Sequence, residues 1–565
     1  MSTAIPKHRA SRSGFPEEPG TDQAPAERPP RSRALLGRHW PRRVLISVNV
    51  LVCVCLAAAA SAYEYVQHEI GSIATAPSPG ANQYGHDVDG HRVAQVDYSG
   101  GLSPENILLI GNQTRQGLTP AQQLRYGLTA THSGTLADIM MVLHLDPAKD
   151  AASILSIPRD LFAPMPAGSL VGPYQKMDAA LNDGNADGPD NLMKAVQEDL
   201  GIPINHFMEL NFNGFINSVN ALGGIRVYFP EPVWDAESLL YEPNPGCHQL
   251  DGTDALALVR ARHLQYEPPG THEPRDEWTF EAQSDLARIV RAHTFMKIVA
   301  ETAEKEGKAD ILTANAFLNA VVKQMTVDKG LRSQLLSLVL HYRHMNPSAV
   351  AESTLPTSPV NYYSYDGADI GDVLFPVQPL DNDAIKTWDP QALPAPVRPK
   401  AVRIVSLTGS YDAAVSAGHA LGSDGLDVTG ETAGTVPAST TVTFVGYHHG
   451  DAAQALYVMK YLSGAVMLHQ EASVPLGTVQ VELGSSVVVA SRPAPGHRTT
   501  GAAGAGAKSS TTAAPATSAP APRAGAGSPH HRAPATTVPT PGGYAPSPAA
   551  DQVQPWDPRA CPASS

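Results

Sequence analysis

The sequence predicts an α/β fold for the middle of the chain, and three observations carry that prediction. Short apolar runs that stop at glycine, proline or polar residues are typical of buried strands. Stretches with helical periodicity follow these runs, and a chain that has both patterns is typical of α/β domains. The two ends of the chain are rich in proline, glycine and small polar residues, so we expect the core to form between them.

Three apolar runs predict the strands of a central sheet. They are Asn106 to Gly111, Ile139 to Leu145 and Ser153 to Ile157. Because each run is apolar almost throughout, we expect a sheet that is covered on both faces. Helices are predicted over Asn191 to Leu200, Asn213 to Leu222 and Glu281 to Glu306, each followed by a glycine.

An uncharged apolar run near the N-terminus predicts a membrane anchor. Val44 to Tyr63 contains no charged residue, and a helix of about 20 residues crosses ~30 Å of hydrocarbon. Arginines precede the run, and Glu64 and Glu69 follow it. The positive-inside bias therefore predicts a single-pass protein of the cell membrane with a cytoplasmic N-terminus and an extracytoplasmic bulk. A secretory signal cleaved after Ala62 is the alternative, but the polar segment ahead of the run is long for a signal peptide.

A second, smaller α/β domain is predicted after the proline-rich segment Gln391 to Lys400. Its strand-like runs are Val402 to Ser406, Thr441 to Gly446 and Thr478 to Leu483. From Arg492 onward the chain has too few aliphatic residues to offset chain entropy. The predicted segments are a disordered cytoplasmic tail (1–43), a transmembrane helix (44–63), a linker (64–100), the main α/β domain (101–390), the small α/β domain (399–491) and a disordered tail (492–565).

Charged residues stand at the ends of the predicted strands. Arg115 follows the first strand, Asp138 precedes the second, and Arg159 and Asp160 follow the third. Because ligands of α/β sheets bind at such an edge, we expect these side chains to converge there. For Asp160 we favour a local role, since an acid after Pro-Arg most often satisfies a turn or its arginine neighbour.

Further cations follow along the chain. Lys176 comes first, Arg260 and Arg262 share one side of an extended step, and Asp285 and Arg288 share one helical face. The net charge of −14 gives no general basic field for nucleic acid, so an anionic ligand must be held by a local arginine cluster. Guanidinium groups match phosphate oxygens in a bidentate way, and the pattern therefore predicts a phosphate-bearing ligand.

The cysteines and the missing motifs narrow the class of protein. Four cysteines are too few for a disulfide scaffold, and Cys53 and Cys55 lie inside the apolar run. Cys247 is either a free thiol or paired with Cys561, and the sequence leaves both readings open. The sequence of the globular blocks has no GxSxG elbow, CxxC pair or Walker loop, which excludes those enzyme classes.

Seven segments, read in order, resemble the LytR-CpsA-Psr family of cell-wall glycopolymer ligases. They are NILLIGNQTR (106–115), LADIMMVLHLDP (136–147), SILSIPRDLF (153–162), KMDAALNDG (176–184), NFNGFINSVNALGGI (211–225), GCHQLDGTDALALVRARH (246–263) and SDLARIVRAHTF (284–295). The block over 400–489 resembles the small C-terminal domain often appended in actinobacterial members.

The resemblance implies a three-layer domain with a central mixed sheet and helices on both faces. It also implies an extracytoplasmic phosphotransferase that moves a glycopolymer from a polyprenyl pyrophosphate to a peptidoglycan hydroxyl through a phosphodiester, with pyrophosphate cleavage as a side activity. In such enzymes arginines and a divalent ion, Mg²⁺ or Mn²⁺, hold the pyrophosphate, and the prenyl tail lies in an apolar cleft beside the membrane. The alternative function is a catalytically weakened binder of prenyl phosphate or wall polymer.

The roles that the resemblance implies fall on particular residues of this sequence. Asp138 and Gln113 take the metal positions. The implied catalytic residues are Asp285, which orients or deprotonates, with Arg288, Arg260 and Arg262. The implied pyrophosphate contacts are Arg159, Arg260, Arg262, Arg288, Arg115, Lys176 and Arg291. Gln113 departs from the family's usual Asp, and a neutral amide predicts weaker metal binding.

Overall fold

The computed structural model describes residues 40–81, 86–90, 102–115, 117–125, 135–182, 187–281, 284–309, 319–434, 440–490 and 554–562. Its helices are α1 (Trp40–Gly71), α2 (Pro120–Arg125), α3 (Gly188–Leu200), α4 (Phe212–Ala221), α5 (Gly252–Arg260), α6 (Ser284–Ala309), α7 (Lys329–Tyr342), α8 (Leu380–Trp388), α9 (Tyr411–Ser423) and α10 (Ala452–Met459), with 3₁₀ turns at Met177–Asn182, Arg275–Glu277 and Pro347–Ala349.

The strands of the first half of the chain are β1 (Ala74–Thr75), β2 (Glu105–Asn112), β3 (Ala137–Asp146), β4 (Ala151–Ser156), β5 (Phe162–Pro164), β6 (Tyr174–Lys176), β7 (His206–Asn211), β8 (Ile225–Phe229), β9 (Val233–Asp235), β10 (Leu240–Glu242), β11 (Gly246–Leu250), β12 (Gln265–Tyr266) and β13 (Thr279–Phe280). Those of the second half are β14 (Met325–Val327), β15 (Ala351–Thr354), β16 (Thr357–Tyr365), β17 (Ala368–Pro376), β18 (Ala401–Ser406), β19 (Val428–Ala433), β20 (Thr443–Tyr447), β21 (Leu462–Ser463), β22 (Val466–Gln470), β23 (Thr478–Leu483), β24 (Val488–Val489) and β25 (Arg559–Ala560).

A seven-stranded mixed sheet forms the centre of the fold, in the order β1-β14-β7-β2-β3-β4-β15. The three apolar runs form its middle, where β3 pairs antiparallel with both β2 and β4. β7 joins the other edge of β2 in parallel. β2 is buried along most of its length, as expected of a strand that is covered on both faces. The predicted α/β class with a central mixed sheet is therefore confirmed.

Neighbouring side chains of β3 face opposite layers. Met140 and Val142 belong to a core that includes Met193 of α3. Met141 packs instead with Ile154 and with residues of α6. Because successive side chains of a strand point to opposite faces, α3 and α6 cover opposite faces of the sheet. α3 ends where the sequence predicts, at a glycine with φ 70 whose N–H caps the helix.

A five-stranded sheet occupies the region predicted as a second domain, in the order β19-β18-β23-β20-β22. Its core is continuous with that of the main sheet, since Phe444 and Leu468 belong to the same cluster of buried side chains as Met193. Tyr447 also donates a hydrogen bond to the carbonyl oxygen of Glu198 at 2.9 Å. The two predicted blocks share one core, and the boundary drawn between them stays a prediction.

Residues 554–562 add a strand to a three-stranded sheet, in the order β11-β8-β25. β25 pairs antiparallel with β8, Cys561 forms a disulfide with Cys247, and Trp556 stacks on Tyr266 with ring centroids 4.4 Å apart. The open question of the cysteine pairing is thereby answered. The prediction of a disordered C-terminal tail is wrong for this segment, because one tryptophan and one cysteine attach it although its average composition is that of a disordered chain.

Helix α1 contains the run that predicts the membrane anchor. Among the described residues, no helix has the length and apolar character that crossing a membrane requires. The anchor, the cytoplasmic N-terminus and the extracytoplasmic bulk stay predictions.

Candidate active site

Charged side chains from separate parts of the chain meet where β3 begins and β4 has ended. Nη1 of Arg159 lies 2.6 Å from Oδ1 of Asp138, and its Nε lies 3.3 Å from Oδ2 of Asp160. Asp160 also accepts from Nζ of Lys176 at 2.9 Å, and Nη2 of Arg262 is 3.9 Å from it. The predicted convergence of strand-end charges is therefore observed in the structure.

The backbone around Arg159 explains how these groups are held. The carbonyl oxygen of Asp160 accepts from the N–H of Leu374 in β17 at 2.8 Å. The carbonyl oxygen of Arg159 accepts from the N–H of Asp178 at 3.2 Å, in the 3₁₀ turn that follows Lys176. Main-chain hydrogen bonds thus fix both Arg159 and Asp160. Asp160 pairs with Arg159, as the predicted local role requires, and it also lies close to the side-chain nitrogens of Lys176 and Arg262.

Two more arginines complete the cluster. Arg288 of α6 is 5% exposed and donates from Nη1 to the carbonyl oxygen of Asp138 at 2.9 Å. Arg260 ends α5, and its guanidinium carbon lies 5.3 Å from the centroid of the Phe212 ring. Burial lowers the pKa of Arg260, Asp138 opposes that shift, and Arg115 adds to it. Arg115 therefore lies near the same edge. We call the following set the charged cluster: Asp138, Arg159, Asp160, Lys176, Asp178, Arg260, Arg262 and Arg288.

Asp178 is a member of the cluster that the sequence analysis does not single out. Burial raises the pKa of Asp178 to about 7, although Arg159 opposes this shift and Asp160 and Asp138 add to it. The carboxyl group is therefore about half protonated near pH 7. The signal available in the sequence is its spacing of two residues from Lys176, which ends β6, whereas Asp178 lies in the 3₁₀ turn that follows.

Arg291 does not join the cluster, which corrects its predicted role as a pyrophosphate contact. Its side chain is 1% exposed, and Nη1 and Nη2 pair with Glu281 at 2.5 and 3.0 Å. Nη2 also donates to the carbonyl oxygen of Ala261 at 2.5 Å. Ala261 lies between Arg260 and Arg262, so Arg291 positions that segment. Its guanidinium is occupied by protein groups because the helix turns it into the core.

The predicted metal positions are close together but poor in ligands. The N–H of Gln113 donates to the carbonyl oxygen of Leu136 at 3.3 Å, which places Gln113 beside the start of β3. The carboxylate of Asp138 is engaged by Arg159. The side-chain oxygen of Asn112, which precedes Gln113, accepts from the hydroxyl group of Thr114 at 2.7 Å. Within the described residues, no group of three or more His, Cys, Asp or Glu side chains is placed to hold a metal ion.

Asp285, the predicted catalytic acid, lies in the first turn of α6. Its side chain is outside the described residues. The role assigned to Asp285 therefore stays a prediction.

An apolar pocket begins at the charged cluster. Its rim carries Asp138, Arg159 and Arg288. Its walls are Ile157, which directly follows β4, and apolar side chains of β3 and α6, namely Ile139, Met140, Met141, Ile289 and Ala292. Beyond these walls, partly buried Leu109, Leu143 and Met296 continue the apolar layer between the sheet and α6. The charged cluster and a small apolar pocket therefore share Asp138, Arg159 and Arg288.

A sequence model of the LytR_cpsA_psr family matches residues 72–375. The match includes every residue of the charged cluster and spans more than half of the chain. The chain belongs to this family.

Curated relatives in the family include cell wall proteins. The probable cell wall biosynthesis protein LcpB of Corynebacterium glutamicum is 32% identical over 220 residues, which are 39% of this chain and 46% of that protein. The polyisoprenyl-teichoic acid–peptidoglycan teichoic acid transferase TagV of Bacillus subtilis is 29% identical over 201 residues, which are 34% of this chain and 50% of that protein. The chain thus spans about half the length of these relatives.

Two solved structures are also similar to the chain. The LytR-Csp2A-Psr enzyme from Actinomyces oris is 22% identical with a TM-score of 0.39, and the match covers 57% of this chain and 95% of that one. The structure of TagT bound to LI-WTA, a Bacillus subtilis protein, is 20% identical with a TM-score of 0.37, over 55% of this chain and 98% of that one.

Proposed function

We propose that this protein is a phosphotransferase that attaches a glycopolymer, carried on a polyprenyl pyrophosphate, to a peptidoglycan hydroxyl through a phosphodiester. The observation that supports this best is the joining of the charged cluster to the apolar pocket. A prenyl pyrophosphate has the same division, with phosphate groups at one end of a long apolar chain. We place the reaction outside the cytoplasm, next to the membrane that the Val44 to Tyr63 run would enter.

The arginines and acids of the cluster suit a site that waits for an anion. In the free protein Asp138 and Asp160 hold Arg159 and Lys176 in place. Incoming phosphate carries more negative charge than one carboxylate and offers more acceptor oxygens, so it competes well for the same donors. Because the donors are already oriented, little reorganisation accompanies binding.

The transfer itself makes one phosphorus–oxygen bond and breaks another. The acceptor oxygen attacks the phosphorus next to the sugar, and the bond from that phosphorus to the prenyl phosphate oxygen breaks. The prenyl monophosphate leaves with the bonding electron pair, and the hydroxyl proton passes to a carboxylate, for which Asp285 is the predicted group. Arg159 and Arg288, both largely buried, would stabilise the charge that develops on the phosphate oxygens.

The described residues suit a resident divalent ion poorly. One amide and one carboxylate already paired with Arg159 fall short of the several oxygen ligands that Mg²⁺ or Mn²⁺ takes. We propose that such an ion binds only when substrate phosphates and water supply most of its ligands. Asp138 would be its main protein ligand, and Gln113 would add an amide oxygen. The ion would neutralise phosphate charge, and the steps above do not depend on it.

Reconstitution with the purified full chain tests the proposal. Lipid-linked glycopolymer and peptidoglycan are incubated with the chain, and the peptidoglycan is digested and analysed by mass spectrometry. We expect muropeptides that carry the glycopolymer through a phosphodiester, together with released prenyl monophosphate. Tight lipid binding without transfer, with and without Mg²⁺, would favour the non-catalytic binder, which the Gln113 departure supports. An absence of lipid binding would refute both functions.

A further inference from the structure

A second pocket meets the charged cluster at Arg260. It is lined by Ser238, Leu239, Thr253, Asp254, Leu256, Ala257 and Arg260. Among the described residues, it shares none of its lining with the apolar pocket. Its cavity volume is about 130 Å³, which is below the ~300–1,000 Å³ of drug-sized ligand sites, so it has room for a small group or for one unit of a larger ligand. We call this cavity the α5 groove.

One wall of the α5 groove is a face of helix α5. Thr253, Ala257 and Arg260 are spaced four and three residues apart, so they lie along one side of the helix. The helix begins at an N-cap, Asp251, whose carboxylate accepts from the N–H groups of Thr253 and Asp254 at 2.7 and 3.0 Å. The groove therefore runs from the start of α5 to the arginine at its end.

The opposite wall is the turn between β9 and β10. Asp235, which is fully buried, accepts from the N–H groups of Glu237 and Ser238 at 2.9 Å each. Its other carboxylate oxygen accepts from the N–H of His263 at 2.8 Å, directly after Arg262. One buried carboxylate thus fixes this wall against the segment that carries the two arginines.

Leu239 lies at the edge of this wall and has an unusual backbone conformation. Its φ is 63, and its side chain is 53% exposed. Left-handed backbone is strained for a leucine, and such strain gathers at ligand-binding sites. The turn therefore presents an aliphatic side chain to the groove in a conformation that only its fixed backbone maintains.

The lining decides which ligands fit. Thr253 and Asp254 offer a hydroxyl and a carboxylate, while Leu239 and Leu256 offer aliphatic surface. A prenyl chain would meet too many polar groups here, and a polyanion would be repelled by Asp254. A ligand with many hydroxyl groups and exposed C–H faces satisfies both kinds of lining, and saccharides have this chemistry.

We propose that the α5 groove binds a saccharide through its hydroxyl groups, next to the phosphate held at Arg260. The inference rests on the proposed function, because that function places a phosphate at Arg260. Two saccharides in the reaction share this chemistry: the sugar attached to the lipid pyrophosphate and the acceptor glycan of peptidoglycan.

The test uses the full chain with Thr253→Val and Asp254→Asn, and Asp412→Asn as the control. Asp412 occupies the first turn of α9 as Asp254 occupies that of α5, but it lies outside the groove. The probes are a bare prenyl pyrophosphate, the same lipid bearing a disaccharide, and a soluble peptidoglycan oligosaccharide. Calorimetry gives the affinity for each probe, and turnover gives KM for the acceptor.

Each arm has a distinct outcome. If the groove holds the acceptor, both variants raise its KM about tenfold and leave both lipid affinities unchanged. If it holds the donor sugar, both variants reduce the affinity for the disaccharide lipid to that for the bare lipid. Wild-type values for all probes in both variants would overturn the inference. If wild-type chain binds no prenyl pyrophosphate, the proposed function fails, and oligosaccharide binding lost only in the groove variants would still identify a saccharide site.

Discussion

Replacing Arg262 with alanine should weaken substrate binding while sparing the fold. The Arg262 side chain is 39% exposed, and its Nη2 is 3.9 Å from Asp160. A long ion pair in such a place contributes about 0–1 kcal/mol, so we expect the free energy of unfolding to fall by no more than about 1 kcal/mol. Charge-assisted bonds to phosphate contribute about 1.5–3 kcal/mol. At 1.4 kcal/mol per decade, affinity for a prenyl pyrophosphate should fall about 10- to 150-fold.

Calorimetric titration of a short-chain prenyl pyrophosphate, with urea unfolding of the same samples, measures both quantities for Arg262→Ala. Arg403→Ala is the matched control, because Arg403 is an exposed arginine of β18 in the second sheet. The control should keep wild-type affinity. Unchanged affinity in Arg262→Ala, or an equal loss in both variants, would refute the assignment of the phosphate site.

Three further predictions concern pH, the disulfide and the metal. Burial raises the pKa of Glu198 to about 7, so the stabilising contribution of its protonated form is complete below about pH 4.5 and is lost as pH rises through 7. Urea unfolding should show that the free energy of unfolding falls by up to about 3 kcal/mol by about pH 8. Glu198→Gln should flatten this dependence on pH. Cys247→Ser should lower the free energy of unfolding by about 2–4 kcal/mol, whereas Cys53→Ser, which removes a free thiol, should leave it unchanged. Lipid-free wild type should bind Mg²⁺ weakly by calorimetry and Gln113→Asp more tightly; tight binding by wild type would contradict our account of the metal site.

Local patterns predicted the parts of the fold that local chemistry determines. β2, β3 and β4 follow from apolar runs with clear stops, because burial on both faces leaves its mark on each strand alone. Asp138 and Arg159 could be selected because charged residues at strand ends are visible without knowing the topology. Their direct contact at 2.6 Å required only that neighbouring strands bring those ends together.

Other features depend on partners that are distant in sequence. Arg288 and Arg291 lie on one helix three residues apart, and nothing local distinguishes the one that enters the site from the one that supports it. Their roles follow from Asp138 for the first and from Glu281 and Ala261 for the second. The return of residues 554–562 to β8 is likewise a tertiary event that composition cannot indicate.

A structure of the full chain with a bound prenyl pyrophosphate tests the assignment of the phosphate site most directly. We predict phosphate oxygens within about 3 Å of guanidinium nitrogens of Arg159, Arg262 and Arg288. The prenyl chain should extend between β3 and α6, along the pocket that Ile139 and Ala292 line. A lipid bound elsewhere, or one whose phosphates contact none of these arginines, would contradict the account.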